Sequence, residues 1–160
     1  MDRASVVAIS LALAVSACAR QAPSAIQVVG RGCRIALPYV AAEVGDCTPQ
    51  AAAAYDFAFC HFHYLVGALV APPADRARGE AGLSAQFRRK AIAYGSLSQT
   101  LSDADTFDRN VALARKYYDS LQKQNPMIAG SSLEYIRSKC DNLAAHHATV
   151  LQGLDRSQRF

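Results

Sequence analysis

The segment that decides the fold is TPQAAAAYDFAFCHFHYLVGALVAPP, residues 48–73. Thr48 followed by Pro49 is a helix start: threonine caps free N–H groups, and proline suits the first helical position, where its missing N–H is not needed. Pro72-Pro73 stops the helix. Between them Ala52, Tyr55, Phe59, Phe62, Val66 and Leu69 follow one another in steps of three and four, tracing one face of a helix. Between Ala51 and Ala71 the strongly polar residues are Asp56, His61 and His63. A helix that is apolar nearly all round belongs at the centre of a fold. It is also long enough to span a bilayer, but Asp56 and the histidines at mid-span would be costly in hydrocarbon.

Three more helices follow from the pattern downstream. The second is predicted to begin between Asp75 and Leu83, with Gly79 and Gly82 weakening its first turns. Its inward residues are Leu83, Phe87, Lys90, Tyr94, Leu97 and Leu101, with Ala91 beside Lys90 on the buried side. Ser102 or Asp103 caps the third, which is predicted to reach about Gln124 and to bury Phe107, Val111, Ala114, Tyr118 and Leu121. Asn125-Pro126 ends it. Ser131-Ser132-Leu133-Glu134 has the form of a capping box and starts the fourth. Along that helix Leu133, Ile136, Cys140, Leu143, His147, Val150 and Leu154 keep an unbroken alternation of three and four.

Four helices with short connections predict an all-α fold, an antiparallel up-down-up-down bundle. Residues 26–46 precede it. Ile26-Gln27-Val28-Val29 and Cys33-Arg34-Ile35-Ala36-Leu37 flank Gly30-Arg31-Gly32, which reads either as a small hairpin or as an irregular strap over the bundle. The composition agrees with a folded domain: 160 residues, 51% hydrophobic and 19% charged, exclude a disordered or collagen-like chain. A net charge of +4 is too mild to point to nucleic acid, and none is expected as a partner.

The first residues carry the strongest statement about location. Arg3 supplies a positive end, residues 4–14 are apolar apart from Ser5 and Ser10, and Val15-Ser16-Ala17 leads into Cys18. Val15, Ser16, Ala17 and Cys18 resemble the lipobox of bacterial lipoprotein signal peptides, in which an aliphatic and two small residues precede the cysteine. The resemblance covers the leader alone. It implies that residues 1–17 are a signal peptide, that Cys18 becomes the first mature residue and carries lipid, and that several acyl chains give stable anchoring. Ala19, in place of aspartate, implies the outer membrane, with the domain facing the periplasm. Residues 18–25 then read as the lipidated cysteine and a tether, and residues 26–160 as one helical domain.

Removing Cys18 leaves Cys33, Cys47, Cys60 and Cys140. In an oxidising compartment an even number suggests two disulfides, with three possible pairings. The bundle favours Cys60–Cys140, because the two cysteines lie at similar heights on neighbouring antiparallel helices, and therefore Cys33–Cys47. No C-x-x-C is present, so neither a thioredoxin-like centre nor covalent haem attachment is supported.

Few residues invite chemistry. Cys60 and His63 share a helix face, and with His147 they form a weak candidate metal set that lacks a fourth ligand. His63 and His147 lie near apolar seams of neighbouring helices, the arrangement a b-type haem would need. Arg76, Arg78, Arg88, Arg89 and Lys90 form a basic stretch suited to a solvated face, to anionic headgroups or to an acidic partner. Signatures of hydrolases, metalloproteases, phosphate-binding loops and EF-hands are absent from the sequence. The expectation is a non-catalytic binding or structural module of the cell envelope, anchored to the membrane by lipid, with an envelope protein as partner and no cofactor. A periplasmic metal- or haem-binding bundle is the alternative.

Overall fold

The structure, a computed structural model, describes residues 35–38, 48–71 and 82–157. The leader, Cys18, the tether, the Cys33–Cys47 pair, Arg76 and Arg78 lie outside the described residues, as does the hairpin segment apart from residues 35–37, which form no strand. Among the described residues there are six helical segments: α1 (Pro49–Val70), α2 (Leu83–Leu101), α3 (Ala104–Gln122), α4 (Pro126–Asp141), α5 (Leu143–His146) and α6 (Ala148–Ser157). The fold is all-α, and α4, α5 and α6 together make the fourth rod of an antiparallel bundle. No helix among the described residues is long and apolar enough to cross a membrane.

The helix starts follow from capping. Thr48 Oγ1 accepts from the Ala51 N–H at 3.1 Å, with Pro49 in the first turn. Asp103 Oδ1 accepts from the Thr106 N–H at 2.7 Å, which fixes Asp103 as the cap of α3. The fourth rod departs from expectation at both ends of its first segment. Asn125-Pro126 opens α4: Asn125 Oδ1 accepts from the Met127 N–H at 2.9 Å. Ser131 is therefore already inside the helix, and its hydroxyl donates back to the Met127 carbonyl at 3.1 Å, so the capping box is not formed. Near the other end the Asn142 side chain donates to the Ser138 carbonyl at 2.9 Å, and the rod kinks at Asn142 and again at His147. Backbone bonds His147 N–H to Leu143 O and Leu151 N–H to His147 O carry the rod across the second kink.

The core sits around α1, whose residues 52–60 are all buried. Phe57, Phe59 and Tyr64 are its largest fully buried side chains. Burial of each is worth roughly 1.5–3 kcal/mol. The α1–α2 contact is built differently, from small residues and side-chain hydrogen bonds to carbonyls. Ser98 Oγ donates to Ala54 O at 2.7 Å, the His61 ring bonds Ala91 O at 2.8 Å, and Ser84 Oγ donates to Ala68 O at 3.0 Å. The three positions on each helix are seven apart and run in opposite directions, so the bonds fix both the register and the antiparallel sense. Gly95 permits the approach, since a Cβ there would lie 2.8 Å from His61 Nδ1.

The fourth rod is tied to α1 by a disulfide between Cys60 and Cys140, with Cα atoms 5.6 Å apart. This is the pairing favoured by helix height. Three leucines expected to face inward, Leu69, Leu83 and Leu133, are exposed. All three lie near the end of the bundle where α1 finishes and α2 and α4 begin.

Candidate functional site

Two assemblies of polar residues stand out, one inside the bundle and one at its surface. The inner one centres on Asp56, a fully buried carboxylate in the middle of α1. Its Oδ2 accepts from the Ala36 N–H at 2.9 Å, its Oδ1 accepts from the Leu37 N–H at 3.1 Å, and His147 Nε2 lies 2.7 Å from Oδ2. Burial pushes the Asp56 carboxyl above the usual carboxylate range, while His147 and the two backbone donors oppose the rise. Beside it Tyr55 donates its hydroxyl to Pro38 O at 2.5 Å. Asp56 and Tyr55 thus clamp residues 35–38, an irregular strap, onto α1, and His147 ties the second kink of the fourth rod to the same point.

The surface assembly is a groove of about 390 Å³ between α1, α2 and α4. His63, Tyr64 and Gly67 of α1 meet Phe87 of α2 along it. Gly130 and Leu133 of α4 form the third wall, and Arg137 and Glu134 stand at its edge. Phe87 packs so close to Gly67 that a Cβ there would come within 2.9 Å of the ring. Gly130 is the reverse case, because a Cβ there would meet nothing within 4 Å. The volume falls within the roughly 300–1,000 Å³ common to small-ligand sites.

Polar groups beneath the groove are paired with one another. Tyr64 donates to Asp141 Oδ1 at 2.5 Å, Lys90 Nζ reaches the same oxygen at 2.7 Å, and Tyr94 donates to Cys140 O at 2.6 Å. Asp141 is held below the usual carboxylate range: its partial burial is outweighed by the bonds from Lys90 and Tyr64. His63 bonds the Tyr118 hydroxyl through Nδ1. Burial lowers its pKa to about 4, helped by the positive charge of Arg137, so the ring is neutral near pH 7.

The residues singled out in the sequence are scattered by the fold. Cys60, His63 and His147 do not form a metal set: the Cys60 sulfur is consumed by the disulfide, His63 turns to Tyr118, and His147 turns to Asp56. Asp56, His146 and His147 do bring ligand-type atoms within 4.8 Å of one another. Asp56 Oδ2 there already accepts from the Ala36 N–H and pairs with His147 Nε2. Arg88 and Arg89 are exposed on α2, and Lys90, instead of packing inward, bridges to Asp141. The sequence reading passed over Gly130 and Arg137, which carry no local signal. It noted Asp56 but not its partner. No protein family, curated protein or solved structure matches the chain.

Proposed function

We propose that this chain is an exported envelope protein, held through lipid on Cys18 to the periplasmic side of the outer membrane. Its helical domain acts as a non-catalytic binding or structural module for another envelope component. The observation that carries the reading is the leader: a positive start, an apolar run of secretory length, and Val15-Ser16-Ala17 before Cys18. The Cys60–Cys140 bond supports it, because such bonds persist in oxidising compartments. So does the way the buried polar groups are spent. Asp56, His147 and the Tyr64–Lys90–Asp141 set bond to one another and hold helices together, which suits a scaffold.

Cys18→Ser is the test. In a Gram-negative host the full chain should incorporate a labelled fatty acid and sediment with outer membrane, and the variant should do neither. A Cys18→Ser chain that still takes up label and stays in the outer membrane would contradict the reading.

A further inference from the structure

His146 and His147 stand where an unbroken helix would hold their side chains apart, since neighbouring residues on a helix do not face each other. The fourth rod breaks at His147, which closes α5 with φ -104° and ψ 23°. Across that break the two imidazole rings meet edge to face, with centroids 4.7 Å apart. His147 is held from α1 on two sides. Its Nε2 lies 2.7 Å from Asp56 Oδ2, and its ring packs on Phe57 with centroids 5.7 Å apart. His146 is exposed. One histidine is thus fixed in the interior with a carboxylate behind it, and a second reaches solvent beside it.

The spacing suits a common ligand. Two ligands of one tetrahedral zinc lie about 3.4 Å apart, given bonds of roughly 2.0–2.1 Å. That separation falls between the 2.7 Å of the Asp56–His147 contact and the 4.8 Å that contains one ligand-type atom from each of the three residues. A slight opening of the buried pair and a turn of the exposed His146 ring bring all three onto one ion. The donor set also selects. Two imidazoles and a carboxylate suit zinc, copper or nickel, whereas magnesium and calcium take oxygen ligands. A dication would answer the charge of a fully buried carboxylate that otherwise rests on two backbone N–H groups and one histidine. Tying the fourth rod to α1 requires the Asp56–His147 contact alone. It does not require His146, nor a break in the helix that sets a second ring against the first.

We propose that Asp56, His146 and His147 form a site for one borderline divalent transition-metal ion, of which zinc is the type, with water completing the coordination. The inference goes beyond the reading of the domain as a binding module and does not depend on the anchor.

The test is zinc titration of the full, non-reduced chain, extracted in detergent, made without a polyhistidine tag and stripped with a chelator. Competition with a chromophoric zinc indicator gives the affinity and the stoichiometry, and cobalt in place of zinc gives a visible spectrum that reports coordination. One zinc per chain is expected, with no competition from magnesium or calcium. Affinity should fall at least tenfold in His146→Gln and in Asp56→Asn, and stay unchanged in His63→Gln, whose ring bonds Tyr118 instead. The cobalt bands should be lost in His146→Gln. Because His146 is exposed, that variant decides the matter even where Asp56→Asn loosens the fold. No saturable binding by the folded parent, or equal affinity in His146→Gln or in a folded Asp56→Asn chain, would overturn the inference. A lipidated chain that binds no zinc would overturn the metal site and leave the anchored module in place. A chain without lipid that binds zinc through these residues would uphold the site and overturn the anchor.

Discussion

Asp56 and His147 are 91 residues apart in the chain and 2.7 Å apart in the fold, both buried. The same carboxylate holds the backbone of Ala36 and Leu37. One side chain therefore joins the strap, the central helix and the kink of the fourth rod. Removing one member of a buried pair leaves its partner uncompensated, at a cost of about 3–5 kcal/mol. Asp56→Ala should destabilise by that order in chemical denaturation. Asp56→Asn, which keeps the shape and one acceptor, should cost less. Hydrogen exchange should show the Ala36 and Leu37 amides losing protection in both variants ahead of the α1 core.

Three glycines should respond to alanine with different signs. At Gly95 the new Cβ meets the His61 ring that is bonded to Ala91 O, so Gly95→Ala should destabilise by about 1–3 kcal/mol. At Gly130 and Gly153 nothing lies within 4 Å, and alanine should stabilise by about 0.5–1 kcal/mol through helix propensity. Thermal melts of the three variants check these signs, and the Gly95 variant checks the packing of α1 on α2 directly.

His63 sets a pH dependence. Its pKa is about 4 in the folded protein against an ordinary 6.5, so the unfolded chain binds the proton more readily in between. The stability from its neutral form is complete above 6.5 and is lost as pH falls toward 4. Between pH 7 and pH 4.5 the loss amounts to roughly 2–3 kcal/mol. Of the groups around it, Asp141 is depressed and adds a loss at still lower pH, while burial raises Tyr64 and Tyr118, which keep their protons throughout this range. Asp56, raised by burial, acts in the opposite sense, its contribution fading as pH rises. His63→Gln should therefore remove the difference specifically: denaturant midpoints at pH 7 and 4.5 should converge in the variant relative to the parent.

The Cys60–Cys140 bond closes a separation of 80 residues. In the chain-entropy model that is worth about 4 kcal/mol. Paired Cys60→Ala and Cys140→Ala substitutions should lower stability by that order in chemical denaturation of the non-reduced protein.

Much of the architecture was legible because it rests on local rules. Thr48-Pro49 and Asp103 announce helix starts through their own side chains, and the spacing of apolar residues places Cys60 opposite Cys140. The fourth rod was harder, since two start signals compete there. Asn125-Pro126 also reads as an end, and only the neighbouring helices decide that the chain resumes at once. The kinks at Asn142 and His147 leave the apolar spacing intact and so leave no trace in it. A lone aspartate in an apolar helix does demand a partner, but that partner is a histidine from the far end of the chain together with two backbone amides. Those amides have no sequence signature. The groove was hidden for a related reason: Gly130 matters for the absence of neighbours, which only the packed helices reveal.

Intact mass spectrometry of the non-reduced protein extracted from membranes tests the proposed export and lipid attachment together with the disulfide bonding. The predicted species begins at Cys18, carries acyl mass on that residue, and is four hydrogens lighter, two for the Cys60–Cys140 bond and two for the expected Cys33–Cys47 bond. A chain that retains residues 1–17 with Cys18 unmodified and Cys60 and Cys140 as free thiols would contradict it.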